Sequence, residues 1–550
     1  MYNRLLNTAF KIILILGFLA LSKPTFAQPF TKADTLRGSL SSIFRTCYDI
    51  NFYHLSVQVD VDKKFIVGSN QFNFTANNNF KTLQIDLFAN LQIEKIVFKN
   101  DTIPFTRDFN AVFITFPDTI KAQSKQQFTV YYSGYPIVAK NAPWDGGFIF
   151  ATHNIDNSWV ATACQGLGAS SWWPNKDQQA DEVDSMLISV SVPNNLMNVS
   201  NGKLLNFKLL NNGYTQYNWF VANPINNYCV AVNIANYAKI SESFKSKNGA
   251  LSVDFYVLPQ NVEKAKNHLT KNVKQMLEAF EYWFGPYPFY TDGYKIVETP
   301  YLGMEHQSCI AYGNKYQNGY LGKDLSDTSW GLKWDFMVIH ESGHEWFGNN
   351  ITSKDIADMW IHESFTNYSE ALFTEYWYGK LAGKAYLLGL RKNILNDKPI
   401  IGNYGVNNTG SGDMYYKGAN MLHIIRTIIN NEKTWRAILM GLNTNFAKQT
   451  VTTQQIINYI NTAANYNFTP IFDQYLRFKN IPTLLFKIKR GVLYYRYNAD
   501  VNEFNMPLEI AIDGKFKTIY PTTQIKNMKL KTANSTLKVS DDYYLNLVEM

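Results

Sequence analysis

The sequence is 550 residues long, 46% hydrophobic and 15% aromatic. That composition excludes a disordered chain, and the length exceeds what one compact core organises, so roughly two to four domains are expected. The formal net charge is +8, with Lys and Arg scattered and no dense basic stripe, so nucleic acid is not an expected partner.

Arg4 and Lys11 precede an apolar run at 12–21, and Thr25-Phe26-Ala27 places small residues where a signal peptidase cuts. Residues 1–27 are therefore expected to be a cleaved secretory signal. The run is too short to span a bilayer comfortably, and no cysteine stands at the cut for lipid attachment. No second long apolar run follows. The expectation is an exported protein, periplasmic or secreted, without stable membrane insertion after cleavage. Cys47, Cys164, Cys229 and Cys309 are widely spaced and form no CxxC pair. A cysteine-based zinc site is excluded on that spacing, while disulfides and buried thiols both stay open.

From about 47 to 240 the pattern is that of strands. Segments 53–61, 72–74, 83–87 and 128–132 alternate with period two and are separated by turn residues, which predicts an antiparallel β domain with one wet face. The period changes near Val262. Val262, Ala265, Leu269, Val273, Met276, Leu277 and Phe280 recur at helical spacing, and Gly285-Pro286 should stop that helix. Helical patterns dominate to about 478, with Thr452 and Gln455 spaced as a capping box. After Ile481-Pro482 alternation returns. The predicted division is a signal at 1–27, a β domain at 28–245, a mainly helical domain at 246–478 and a small β domain at 479–550.

The chemistry concentrates in His340-Glu341-Ser342-Gly343-His344. On a helix, residues four apart share a face, so both imidazoles can reach one ion, and Glu341 can face the open position as a base. Gly343 weakens a helix by about 1 kcal/mol relative to Ala, which points to a packing or substrate constraint. Glu363 follows His344 after 18 residues and is read as the third ligand. His362 is its rival, turned about 100° away around a helix. Glu370, two turns beyond Glu363, is placed to orient a metal-bound histidine. Glu345 reads as a helix-surface acid or as a partner of the ligands, not as a ligand.

HExxH followed at that spacing by Glu resembles the gluzincin pattern of the aminopeptidase N and leukotriene-hydrolase family. Trp346-Phe347-Gly348-Asn349 resembles its WFGN segment, Gly303-Met304-Glu305-His306 its GAMEN-type exopeptidase motif, and Tyr415-Tyr416-Lys417-Gly418 its YxKG segment. Phe284-Gly285-Pro286-Tyr287-Pro288-Phe289 and Tyr48-Asp49-Ile50 also fit. The resemblance implies one Zn²⁺ per chain held by His340, His344 and Glu363, with Glu341 as general base. It further implies that Tyr415, in preference to Tyr416, donates to the oxyanion. Glu305 would grip the substrate's free amine, with Gly303 and Met304 of the same motif beside the substrate and Gln165 close to that amine. Ala169-Ser170-Ser171-Trp172-Trp173-Pro174 is offered as a wall for a side-chain pocket.

This sequence departs from the family pattern at Leu302 and His306, in and beside the exopeptidase motif, and at His362 and Ser364 flanking Glu363. The chain ends soon after the small β domain, without the large helical domain many members carry, which implies a more open cleft. The expected fold is multidomain α+β: an antiparallel β domain, a thermolysin-like zinc domain and a short β module. The expected reaction is hydrolysis of the N-terminal peptide bond of peptides. The alternatives are a zinc endopeptidase, should Glu305 not meet an amine, and a non-catalytic peptide-binding protein on the same fold.

Overall fold

The computed structural model describes residues 30–38, 42–153, 157–532 and 535–550; the predicted signal at 1–27 lies outside the described residues. Strand Tyr48–Asp60 alternates inward Tyr53, Leu55, Val57 and Val59 with half-exposed neighbours, as a strand with one buried face must. It pairs antiparallel with Phe65–Ala76 across a tight turn in which Lys64 takes a left-handed φ of 54°. These strands lie inside an eight-stranded sheet that runs from Lys203–Leu209 at one edge to Asp101–Thr102 at the other. One pairing departs from the antiparallel expectation: Tyr48–Asp60 runs parallel to Ser185–Pro193, with Phe52 opposite Ser185. Local alternation fixes which face of a strand is buried, but not which distant strand becomes its neighbour.

Trp172 and Trp173 are fully buried in this domain, Trp173 edge-on to Tyr53 and Trp172 edge-on to Phe148. This corrects the reading of 169–174 as a pocket wall: the pair is core, its indoles turned inward against the rings of Phe148 and Tyr53 and absent from the cleft lining.

A second five-stranded sheet has the order Ala238–Ser246, Gly249–Val257, Tyr294–Glu298, Ile310–Tyr312, Gly303–Met304. The predicted division at 245/246 therefore falls inside a hairpin whose two strands both belong with the helical domain. Alternation simply continues from one sheet into the next at this point, so no change of period marks the crossing. Helix Val262–Phe284 buries Ala265, Leu269, Val273, Met276, Leu277 and Phe280 beside this sheet and ends at Gly285, whose φ is 97°. Each large apolar side chain so buried contributes about 1.5–3 kcal/mol.

Two shorter helices carry the metal motif. The first, Phe336–Gly343, is capped by the buried Asp335, whose carboxylate accepts from the Met337 and Val338 amides at 3.0 and 3.3 Å. Tyr312, Asn314 and His268 also bond to Asp335, so the start of this helix is pinned to two other segments. The second helix, Trp360–Tyr378, packs directly against it. A Cβ on Gly343 would lie 2.7 Å from Ser369 Oγ, so the glycine is explained by helix–helix approach and its propensity cost is offset by packing. The capping box at Thr452 and Gln455 is formed.

The C-terminal segment builds a four-stranded and a three-stranded sheet around Leu484, Leu493, Tyr497, Leu508 and Ile510. Arg391, Lys384 and His423 of the helical domain bond to residues 541–543 and hold this module in place. All four cysteines are buried free thiols. Among the described residues no helix is long and apolar enough to cross a membrane.

Candidate active site

The two helices bring His340, His344 and Glu363 together at the floor of a cleft of about 460 Å³. His340 Nε2 and His344 Nε2 lie 3.7 and 3.5 Å from Glu363 Oε2. The outer nitrogens are both engaged. His340 Nδ1 donates to Glu370 Oε1 at 2.7 Å, while His344 Nδ1 lies 3.1 Å from the Phe347 carbonyl and 3.1 Å from Thr366 Oγ1. With Nδ1 protonated, each Nε2 presents a bare lone pair toward a carboxylate oxygen that has no hydrogen-bond partner and is buried. Three electron-rich atoms converging without a proton among them are a site for a cation. Ligands at zinc distances of about 2.0–2.2 Å in tetrahedral array stand ~3.4 Å apart, close to the separations here, so the residues fit the metal.

Electrostatics point the same way. Burial pushes Glu341 up to about 7, with the Glu363 and Glu370 carboxylates adding to the rise against the pull of His340. Burial pushes His344 down to about 4. Burial also opposes charge on His340, but the neighbouring Glu363 and Glu370 carboxylates outweigh it and raise the ring's affinity for a positive charge above the ordinary imidazole range. Glu305 is driven well above the usual carboxylate range, first by burial and then by Glu363 and Glu341. Three carboxylates sharing one cleft need positive charge brought to them.

Glu305 follows the edge strand Gly303–Met304, whose other side pairs with Ile310–Tyr312. Its carboxylate accepts from the Gln165 side-chain amide, and from Tyr228 Oη at 3.3 Å. Gln165 therefore reaches this site from the β domain. Asn349 of the Trp346-Phe347-Gly348-Asn349 segment donates to the Glu305 carbonyl at 2.9 Å and to Glu345 at 3.1 Å, tying the strand to the metal helix. A Cβ on Gly303 would lie 2.9 Å from Glu341 Oε1, which sets Glu341 alongside this strand. The Tyr415 ring stacks beside His340 with centroids 6.0 Å apart, and burial together with Glu363 holds its hydroxyl protonated. Tyr416 also lines the cleft and opens the following helix.

His362, Glu345, His306 and Glu370 do not line the open cleft. His362 is turned away: its Nε2 accepts from the Ser353 amide at 2.9 Å, so it does not compete for the metal. Glu345 is no surface acid. It is fully buried and accepts from Tyr287 Oη at 2.6 Å and the Ser308 amide at 3.0 Å, because the helix beyond His344 widens and turns inward against Tyr287. His306 is fully buried and does not line the cleft; burial pushes it down to about 3. Glu370 is fully buried, with Asn367 and Tyr386 donating to it at 3.0 and 2.6 Å besides His340. Sequence reasoning missed Tyr228, Thr366, Tyr386 and Trp144. Asn349 had a signal in its motif; the others had none, since their roles arise from contacts between distant segments.

Comparison with known proteins agrees with this geometry. The model for the peptidase M1 N-terminal domain matches residues 49–229, and that for the peptidase family M1 domain matches residues 268–475. Among curated relatives, endoplasmic reticulum aminopeptidase 1 of Mus musculus is 23% identical over 256 residues, covering 44% of this chain and 27% of the relative. Probable aminopeptidase 1 of Saccharolobus solfataricus is 22% identical over 425 residues, 72% of this chain and 51% of the relative. The matches thus span from about a quarter to about half of these relatives' length. Among solved structures, an M1 zinc metallopeptidase of Deinococcus radiodurans, a mutant bound to a Tyr-Ser-Ala substrate, superposes with a TM-score of 0.66 at 16% identity, covering 80% of this chain and 97% of that one. Two family models that together account for more than two thirds of the residues, on the fold and metal-binding geometry described, place this chain in the peptidase M1 family.

Proposed function

We propose that the protein is a zinc aminopeptidase that hydrolyses the N-terminal peptide bond of peptides. One observation carries the reading. A buried carboxylate, Glu305, with Gln165 and Tyr228 bonded to it, stands in the same cleft as the His340, His344 and Glu363 triad. A free α-ammonium group satisfies that carboxylate as a metal satisfies the triad, and the fixed separation between the two selects the first peptide bond. The relatives named aminopeptidases, and the Deinococcus structure bound to a tripeptide, support the same reading.

Zinc held by His340, His344 and Glu363 would supply Lewis acidity, polarising an amide carbonyl and making water acidic enough to attack near neutral pH. Glu341 takes the proton of the attacking water and returns it to the leaving nitrogen. Its elevated proton affinity suits both halves of that task. The Tyr415 hydroxyl donates to the developing oxyanion. Glu305 accepts from the substrate amine, and the edge strand Gly303–Met304 offers free backbone groups to an extended peptide. Glu370 keeps His340 in the tautomer that leaves Nε2 free. An exported location, periplasmic or secreted, belongs to the same proposal and rests on the pattern of the first 27 residues.

The test is the identity of the products from one tripeptide supplied free and N-acetylated. Release of the first residue from the free peptide alone supports an aminopeptidase. Internal cleavage of the acetylated peptide would refute the role of Glu305 and favour an endopeptidase. Zinc binding with no cleavage of either would favour a binding protein.

A further inference from the structure

Part of the apolar lining of the cleft comes from a loop of the β domain that carries no motif of its own. Pro143 and Trp144 line the cleft with Gln165 and Glu305. Trp144 is 66% exposed, a large uncovered aromatic surface at the mouth of an otherwise buried site. Its loop is tied down. The Asp145 carboxylate accepts from the Lys140 and Asn141 amides at 2.6 and 2.9 Å, and the Trp144 amide donates to the Asn141 carbonyl at 3.0 Å. At its base, the Ala139 amide donates to the Phe148 carbonyl at 2.8 Å and the Phe148 amide to the Ile137 carbonyl at 2.7 Å. A Cβ on Gly146 would lie 2.6 Å from Leu167 Cβ and 3.3 Å from the Ala163 carbonyl. The loop is thus packed on the two residues that flank the Gln165 turn, and Gln165 bonds to Glu305. Trp144 is carried on the same rigid unit that marks where the substrate amine sits.

The charges sharpen the assignment. No Lys or Arg is among the described residues lining the cleft, so an acidic side chain finds no partner there. The three lining glutamates are each committed, Glu363 to the metal, Glu341 to proton transfer and Glu305 to the amine. Asp145, beside Trp144, is spent on two backbone amides. A cationic first side chain therefore has no free carboxylate to meet, whereas an apolar one covers the exposed indole.

We propose that Trp144, backed by Pro143, receives the side chain of the substrate's first residue and sets a preference for peptides beginning with a large apolar or aromatic residue. This rests on the aminopeptidase reading above. The test is kcat/KM for free Phe, Leu, Ala, Arg and Glu amides with the wild type, Trp144→Ala and Trp144→Phe, with thermal melts to show equal folding. The wild type should favour Phe and Leu over Ala, Arg and Glu. The Phe-to-Ala ratio should fall about tenfold or more in Trp144→Ala, the scale on which a pocket discriminates by apolar contact, and should recover in Trp144→Phe. A wild type preferring Arg or Glu overturns the proposal, as does a Trp144→Ala variant that lowers the Phe and Ala substrates in equal proportion. A wild type that cleaves only N-acetylated peptides overturns the aminopeptidase reading itself, and this one with it.

Discussion

Replacing Glu370 by Gln removes a charge from a fully buried site while keeping its size. In the wild type one carboxylate oxygen takes the His340 Nδ1 proton at 2.7 Å and the Asn367 amide at 3.0 Å, while the other takes the Tyr386 hydroxyl at 2.6 Å. A hydrogen bond to an ionised acceptor contributes about 1.5–3 kcal/mol against about 1 kcal/mol for a neutral pair. Glutamine also turns an NH₂ group either toward the two donors that share Oε1 or toward Tyr386, whose hydroxyl must then accept instead of donate. The His340 lone pair is then less basic and less firmly aimed. The expected loss is about 10–100-fold in zinc affinity, or ~1.4–2.7 kcal/mol. Zinc competition against a chromogenic chelator measures it on both proteins, with a melt of each metal-free form to separate affinity from folding. A zinc dissociation constant within about twofold of wild type would refute the orienting role, since effects of that kind on metal ligands are an order of magnitude larger.

Tyr415→Phe should cut turnover by about 10²–10³-fold, as loss of an oxyanion donor does, and leave zinc stoichiometry unchanged; the same competition assay checks the second half. Glu305→Gln should lower kcat/KM for free-amine substrates on the order of 10²-fold, the scale for removing one member of a buried charge pair. Paired assays on free and acetylated amides should show the two converging. Asp542→Asn tests the attachment of the C-terminal module. Burial opposes the Asp542 charge, but His423 and Lys384 outweigh it and hold the carboxyl well below its usual range. A depressed folded-state pKa stabilises above the unfolded value near 3.9 and is lost as pH falls. The variant should therefore be about 1–2 kcal/mol less stable at pH 7 after allowance for solvent screening. Urea titrations should show that gap narrowing below about pH 4.

The parts legible in the sequence are those written in short spacings. HExxH and the interval to Glu363 mark residues that the structure brings within 4 Å, and the apolar period from Val262 marks a helix that runs to Phe284. What escaped depends on which distant segments meet. Alternation looks the same in the eight-stranded and five-stranded sheets, so the expected boundary at 245/246 cuts through strand Ala238–Ser246 and parts it from its partner Gly249–Val257. Trp172 and Trp173 read as pocket residues because they follow Gln165 closely, yet the chain folds them inward and leaves the wall to Trp144. Tyr228 and Thr366 carry no motif of their own. Each is defined by the distant groups it reaches, Tyr228 by Glu305 and Thr366 by His344 and the Phe347 carbonyl.

The most direct test is a titration of zinc into chelator-stripped protein while hydrolysis of a free leucine amide is followed. Activity absent at the start, rising in proportion and levelling at one zinc per chain is the predicted result, with the same titration of Glu341→Gln binding zinc but giving no turnover. Full activity without metal, or one bound zinc with no hydrolysis of any free-amine substrate, would contradict the assignment of this cleft as a zinc aminopeptidase site.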